Sequence, residues 1–388
     1  MARKVCVVVT ARPSYARIKT ALQALNAHPQ VELQLVVAAS AIIERYGNVA
    51  SIMEEDGFRV SARVHSLLEG DTLIGTAKST GIGMSELATV FDHLRPDVVV
   101  TVADRYETLA TAAAAAYCNV PLAHIQGGEI TGSIDEKVRH AVTKLADLHF
   151  VSTSRARDYV IRMGEHPDRV FKTGCPSIDI ARQVLENPRP GYNPLEEYGG
   201  VGPSLDLSKG FIVVMQHPVT TEVDETLENI RETVEAVKCL TVPAIWFWPN
   251  VDAGADVVSK LLRTEREHGA LHNVHFFRNM RPEDFLYTLL ECKCLVGNSS
   301  VAIREAAFLG VPTVNIGNRQ RYRERGHNVI DVNYDRAAII DAIEASMANG
   351  RYEVDEIYGD GTAGIKIAEI LATAPLSIDK HLSYVDQA

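Results

Sequence analysis

The sequence predicts a tandem of two α/β domains, each built on a parallel, doubly wound sheet. Three observations carry this. Short β-branched runs without polar alternation recur along the chain and read as strands covered on both faces. Helical patterns stand between them, which is the order of a parallel sheet. One Pro- and Gly-rich stretch splits the alternation in two, in a chain whose 388 residues exceed what a single core usually supports.

Taken in order, the first strand is KVCVVVT (4–10), followed by TARPSY and the helical pattern RIKTALQALN. VELQLVVAA (31–39), DVVVTVA (97–103), PLAHIQ (121–126) and LHFVST (148–153) are further buried strands, with ETLATAAAAAY as the helix between the third and fourth. The segment ENPRPGYNPLEEYGGVGPSLDLSKG (186–210) then breaks all periodicity and reads as a linker or inserted loop. A second alternation follows: FIVVMQH (211–217), a helix through ETLENIRETVEAVKCL, AIWFWP (244–249), NVHFFRN (273–279), KCLVGNSS (293–300), the helical VAIREAAFLG and TVNIG (313–317). The resulting boundaries are 1–185, 186–365 and a terminal segment 366–388. The chain carries no heptads, solenoid period or low-complexity tract.

Composition narrows the function classes. Hydrophobic residues at 46% with 23% charged residues are those of a soluble globular protein. A net charge of −11 argues against nucleic acid as a partner but leaves room for a local basic pocket for one phosphorylated ligand. The N-terminal apolar run ends at Arg12, too short to span a membrane and without a small-residue cleavage site, so a cytoplasmic protein is expected. Six scattered cysteines lack zinc-site spacing and read as buried, reduced thiols, and no metal cluster is visible.

In open parallel sheets, ligands bind beyond the carboxyl ends of the strands, and the polar residues of interest cluster there. The first strand runs into Arg12. The 97–103 strand ends at Asp104 and Arg105, and the 121–126 strand ends at Gln126 and opens into Gly127, Gly128 and Glu129. In the second half the strand ends give His217, Asn250, Ser299 and Ser300. Two half-sites facing across a cleft are the economical arrangement.

Ser133 with Glu136 three residues on fits a capping box, which offers Asp135 a role as a first-turn acidic residue. Capping does not explain Gln126 to Glu129, although a lone Gly-Gly pair is often only a turn. In GNSSVAIREAAFLGVP (297–312), a Gly-containing turn places Ser hydroxyls and N–H groups at a helix start, suited to phosphate. Glu305 near a turn and a half further on suits ribose hydroxyls; the alternative is a Ser-capped helix with a surface Glu. Arg319 and Arg321 supply cations for a diphosphate, or form a solvated basic loop. His217, after a buried strand and before Pro218, reads as a phosphate contact or acid; His124 and His140 read as structural.

These stretches together carry a resemblance. TARPSY, ADRYET, HIQGGEITGSIDEKVRHAVTKLA, GCPSIDIA, QHPVTTE, WPNVDAG, FFRNM and GNSSVAIREAAFLGVPTVNIGNRQ, in order over about residues 4 to 330, are similar to the hydrolysing UDP-N-acetylglucosamine 2-epimerases of sialic acid and related nonulosonic acid biosynthesis. The resemblance implies the glycosyltransferase-B architecture of two Rossmann-like domains facing a cleft. It places the nucleotide mostly on the second domain and sends the terminal helix and tail (366–388) back to the first. Nucleotide-sugar contacts fall on Arg12, Arg105, His217, Asn250, Ser299, Ser300, Glu305 and Arg319, and essential carboxylates on Asp104 and Asp135. A homodimer or homotetramer is also implied, and no cofactor is expected because the reaction needs neither hydride nor phosphoryl transfer.

The implied reaction removes the C2 proton and expels UDP to give a 2-acetamidoglucal, to which water then adds with the opposite C2 configuration. A base is needed at C2, and Asp104 and Asp135 suit a division of acid and base work, with His217 at the diphosphate. The family's third carboxylate, in an H-I-E-G-G-E version of the motif, aligns with Gln126, which cannot take a proton. Either Glu129 supplies it or the substrate differs. Relatives in legionaminic acid pathways act on nucleotide-linked 2,4-diacetamido-trideoxyhexoses, and an amide suits an acetamido group in place of a hydroxyl. A glycosyltransferase of the same fold is disfavoured by the carboxylate-rich 104–136 region, and a non-hydrolysing 2-epimerase by its typical H-V-E-A-G-L-R motif, unlike HIQGGEI.

Overall fold

The computed structural model of the chain describes residues 2–44, 48–68, 72–130, 134–219, 222–249 and 254–384. The first half runs β1 (Arg3–Val9), α1 (Arg12–Ala16), α2 (Lys19–Ala27), β2 (Val31–Ala38), α3 (Val49–Glu55), β3 (Val60–Val64), α4 (Leu73–Leu94), β4 (Val98–Val102), α5 (Tyr106–Tyr117), β5 (Leu122–Ile125), α6 (Ile134–Leu145), β6 (Leu148–Val151), α7 (Ser154–Arg162), β7 (Val170–Lys172) and α8 (Pro176–Glu186). The second runs α9 (Pro194–Tyr198), β8 (Ile212–Met215), α10 (Thr226–Cys239), β9 (Ala244–Phe247), α11 (Ala255–Glu267), β10 (Val274–Phe277), α12 (Pro282–Glu291), β11 (Cys294–Gly297), α13 (Glu305–Phe308), β12 (Thr313–Ile316), β13 (Val329–Val332), α14 (Arg336–Asn349) and α15 (Ala363–Thr373).

Two compact units result: Met1–Ile130, Ile134–Asp179 and Tyr358–Ala388 form one, and Ile180–Ile357 belong to the other. The first unit holds a seven-stranded sheet ordered β3-β2-β1-β4-β5-β6-β7, and the second a six-stranded sheet ordered β10-β9-β8-β11-β12-β13. Every strand pair named in these sheets is parallel. Both are Rossmann-like, and in each the strand order reverses beside the first strand, between β1 and β4 and between β8 and β11.

The VCVVV of β1 shows why such runs are apolar throughout. Val5, Val7 and Val9 enter one core with Leu22 and Leu25 of α2, while Cys6 and Val8 enter the opposite core with Leu87 and Phe91 of α4. A strand with helices on both faces has no solvent side, so period-2 alternation vanishes. β3, β7 and β13 are not among the strands expected from sequence. β3 lies at a sheet edge and alternates between half-covered and exposed residues, and β7 has only 3 residues. The buried-strand signal is absent from both.

The 186–210 stretch is more than a linker. Tyr198 donates to Asp284 Oδ2 at 2.6 Å, Val201 bridges Phe276, and the His275 ring lies 2.6 Å from Gly199 O and 2.8 Å from Pro203 O, so the segment is stitched to the second unit beside β10. At the other end, α15 packs on α2, with Ile367, Ala368 and Leu371 in the first unit's core. Asp179 of α8 caps it by accepting from the amides of Ala363 (2.9 Å) and Gly364 (2.7 Å). A Cβ on Gly364 would lie 2.6 Å from the Thr20 carbonyl carbon, so only glycine allows this approach. Among the described residues no helix is long and apolar enough to cross a membrane.

Candidate active site

The first unit's reversal point gathers one set of the residues singled out above. Arg12 opens α1 directly after β1, half-buried, and burial pulls its guanidinium down to about 10, so it stays protonated at neutral pH. Asp104 and Arg105 follow β4, the neighbouring strand. Asp104 is buried and ion-paired with Arg139 of α6, whose side chain is 1% exposed. That guanidinium also donates to the Glu129 backbone carbonyl at 2.6 Å and lies 3.7 Å from Glu136. A buried cation so placed offsets the cost of enclosing the Asp104 charge. Arg105 bonds Glu107 at 3.2 Å.

β4 and β5 both end in a non-glycine residue with left-handed backbone, Ala103 (φ 68°) and Gln126 (φ 69°). Such a conformation costs about 1–2 kcal/mol and accumulates at functional sites. The Gln126 side chain is buried; its Nε2 donates to Cys175 Sγ at 2.9 Å, and its Oε1 has no partner among the described residues. Glu129 is buried and accepts from Ser152 Oγ at 3.0 Å. Asp135 sits half-buried in the first turn of α6, four residues before Arg139 and so on the same helix face. Ser133 of the expected capping box lies outside the described residues; Glu136 reaches His140 Nε2 at 2.9 Å. His124 is fully buried, its ring nitrogens 3.1 Å from Thr143 Oγ1 and 2.8 Å from Ala103 O, and burial lowers it to about 4. It is a neutral structural histidine.

The second unit's reversal point gathers the other set. His217 follows β8, and its backbone is clamped by Asn298 after β11: the His217 amide donates to Asn298 Oδ1 (2.8 Å) and Asn298 Nδ2 to the His217 carbonyl (2.9 Å). The Asn298 carbonyl in turn accepts from Arg319 Nη1 (3.2 Å) and Gln320 Nε2 (2.9 Å). This network ties His217, Ser299 and Arg319 to one frame. Arg321, by contrast, is exposed and lies over the Tyr322 ring. Asn250 lies outside the described residues.

The GNSS stretch differs from the single helix expected. Gly297 takes φ 129°, where a Cβ would come 2.2 Å from the Met215 carbonyl oxygen, and Ser300–Ala302 form one 3-10 turn before α13 begins at Glu305. The β-branched Val301 and Ile303 favour helix poorly, and Arg304 stands as the N-cap of α13 at φ −103°, ψ −78°. Glu305 is therefore the first residue of a helix rather than a surface residue a turn and a half into one. It is buried at 6% exposure, and its Oε2 has no partner among the described residues. An acceptor left this way is suited to a ligand's hydroxyl.

Arg139, Cys175, Ser152 and Gln320 were not singled out from sequence as site residues. In the sequence Cys175 reads only as one of six buried, reduced thiols and Arg139 only as a charge on a helix, and neither reveals its partner. Among the described residues no group of three or more His, Cys, Asp or Glu could hold a metal ion.

With this geometry in hand, the comparisons with known proteins fall into place. The family model described as UDP-N-acetylglucosamine 2-epimerase matches residues 23–372. A Legionella pneumophila protein named UDP-N,N'-diacetylbacillosamine 2-epimerase (hydrolyzing) is 31% identical over 376 residues, covering 97% of each chain. A Neisseria meningitidis UDP-N-acetylglucosamine 2-epimerase is 28% identical over 375 residues, covering 96% of this chain and 95% of its own. The fold superposes on the Methanocaldococcus jannaschii UDP-GlcNAc 2-epimerase, solved in complex with UDP-GlcNAc and UDP, with TM-score 0.80 at 19% identity over 95% of this chain and 99% of that one. By the extent of the family match and the chain-long relative, this chain belongs to the UDP-N-acetylglucosamine 2-epimerase family.

Proposed function

We propose that the protein is a hydrolysing 2-epimerase that converts a UDP-linked 2-acetamido sugar into the free manno-configured sugar and UDP. The observation that carries this reading is the buried Asp104–Arg139 pair at the first unit's reversal point, with Asp135 one helical turn from Arg139. C2–H is a weak acid, and a carboxylate held ionised by a buried guanidinium is a base set in place before substrate arrives.

The step balances as follows. Asp104 takes the C2 proton, the C1–O bond breaks, and UDP leaves with the electron pair. Water then adds its oxygen to C1 while Asp135, protonated from solvent through its half-buried position, gives its proton to C2 on the opposite face. The proton that water gives up returns to Asp135, and Asp104 releases the one it took to solvent. Glu129 stands as a third carboxylate, its backbone bound to Arg139. Arg12 and Arg105 balance the substrate's negative charge. On the second unit, His217, Ser299, Ser300 and Arg319 take the diphosphate, and Glu305 takes the ribose hydroxyls.

For the sugar, Gln126 favours one with two acetamido groups over UDP-N-acetylglucosamine, since its neutral carbonyl accepts an acetamido N–H without setting a negative charge beside that group's own carbonyl, as a carboxylate would. The name of the Legionella relative supports both that sugar and the hydrolytic outcome. The test is incubation with each UDP-sugar while free UDP and the released sugar are followed by NMR. Free UDP and a reducing manno-sugar in equal amounts are expected. A UDP-linked manno product without UDP release overturns the hydrolytic reading, and transfer to an added acceptor makes the protein a glycosyltransferase.

A further inference from the structure

Behind Gln126 lies a short chain of buried polar atoms that the reaction above does not use. Gln126 Nε2 and Ser177 Oγ each lie 2.9 Å from Cys175 Sγ. All three residues are buried, with Cys175 at 0%, Gln126 at 1% and Ser177 at 3% exposure. The mount is stiff. The Cys175 amide donates to the Tyr358 carbonyl at 2.8 Å, and Gly174 takes φ 87° with Gly359 Cα 3.0 Å from where its Cβ would lie.

An amide side chain has two unlike ends, and burial makes the choice between them costly. A sulfur that accepts the Gln126 N–H has its own hydrogen left for Ser177 Oγ, and the Gln126 carbonyl is turned to the side that has no protein partner. Leaving such an oxygen bare costs about as much as a lost hydrogen bond, unless a ligand supplies the donor.

We propose that Cys175, backed by Ser177, is a positioning residue that fixes which end of the Gln126 amide meets the substrate, so that position 126 presents a carbonyl to the N–H of a second acetamido group. The inference rests on the reading under Proposed function and names the device behind its substrate choice. Without the sulfur the amide turns freely, and a primary amide that rotates reads a hydroxyl and an acetamido N–H nearly alike. A serine in place of the cysteine still accepts from Nε2 and still donates to Ser177.

The test compares kcat/KM for the UDP-sugar with two acetamido groups against UDP-N-acetylglucosamine, alongside thermal melts. Cys175→Ala is expected to lower this ratio about 3- to 10-fold, the effect of one hydrogen bond, mainly through KM. Cys175→Ser should restore the ratio to within about twofold of wild type, which a loss of packing alone would not do. In a Gln126→Glu background, Cys175→Ala should change the ratio no further, because the amide it orients is gone. If Cys175→Ala does not fold, Ser177→Ala decides in its place, and the ratio should fall in the same direction. An unmoved ratio in the folded variant, failure of Cys175→Ser to restore it, or independent effects of positions 126 and 175 each overturn the proposal. A wild-type protein that releases UDP from neither sugar is a distinct result: it removes the proposed function, and this inference with it.

Discussion

Asp104 and Arg139 illustrate how one buried contact assigns chemistry. Enclosing a lone carboxylate is costly, and a partner of opposite charge inside the same shell offsets that cost. Asp135 is only half-buried, and on the proposed mechanism this difference in environment separates base from acid. Asp104→Asn and Asp135→Asn keep shape and hydrogen-bond capacity yet cannot carry a proton. Each is expected to lower turnover by about two to four orders of magnitude with UDP affinity within a few-fold of wild type. Wild-type turnover in either variant removes that residue from the mechanism. At this scale the sequence made Asp104 and Glu129 visible by their place after strands, and Asp135 by its place in the first turn of a helix. Arg139 was not, because a positive charge on a helix is ordinary until its burial and partner are known.

Among the elements, the turn after β11 carries the proposed nucleotide half-site. Its backbone is set by Gly297 and by the Asn298 clamp on His217, and the short 3-10 turn brings Glu305 to the head of α13 with one oxygen unpartnered. An unsatisfied buried acceptor destabilises the protein without ligand and is relieved on binding. Glu305→Ala should therefore weaken UDP binding by about 1–3 kcal/mol in calorimetry while leaving the melting temperature of the free protein unchanged or higher. Ser300→Ala should weaken UDP to a similar degree. Unchanged affinity in both variants overturns the assignment, and a lowered melting temperature in Glu305→Ala marks that residue as structural. The strands at either side of this turn were legible because they are continuous apolar runs. The break in the helix was not, since it arises from weak local preferences summed with tertiary packing.

Across the whole molecule, the C-terminal segment belongs to the first unit, and one of its anchors is electrostatic. Glu165 is buried and accepts from Lys144, His149 Nε2 (2.9 Å) and Lys380 of that segment. Burial alone would raise its carboxyl, but these donors outweigh it and hold the group down to about 2, below its ordinary 4.5. A depressed carboxyl stabilises fully above its unfolded value and loses that contribution as pH falls toward the folded one. Glu165→Gln should thus lower stability at pH 7 by on the order of 3 kcal/mol in denaturant titrations, with the gap closing as pH falls below about 4.5. A gap that does not vary with pH would mean the loss is one of packing. By itself the sequence determined the two α/β units, their central strands and the strand ends where the proposed site residues stand, because strand burial and turn chemistry are local properties written in consecutive residues. Only the tertiary structure decided that Arg139 neutralises Asp104, that Cys175 holds Gln126, and that Lys380 returns to Glu165. Those pairs are 35, 49 and 215 residues apart in the chain, and an isolated polar side chain carries no mark of the partner that burial will give it.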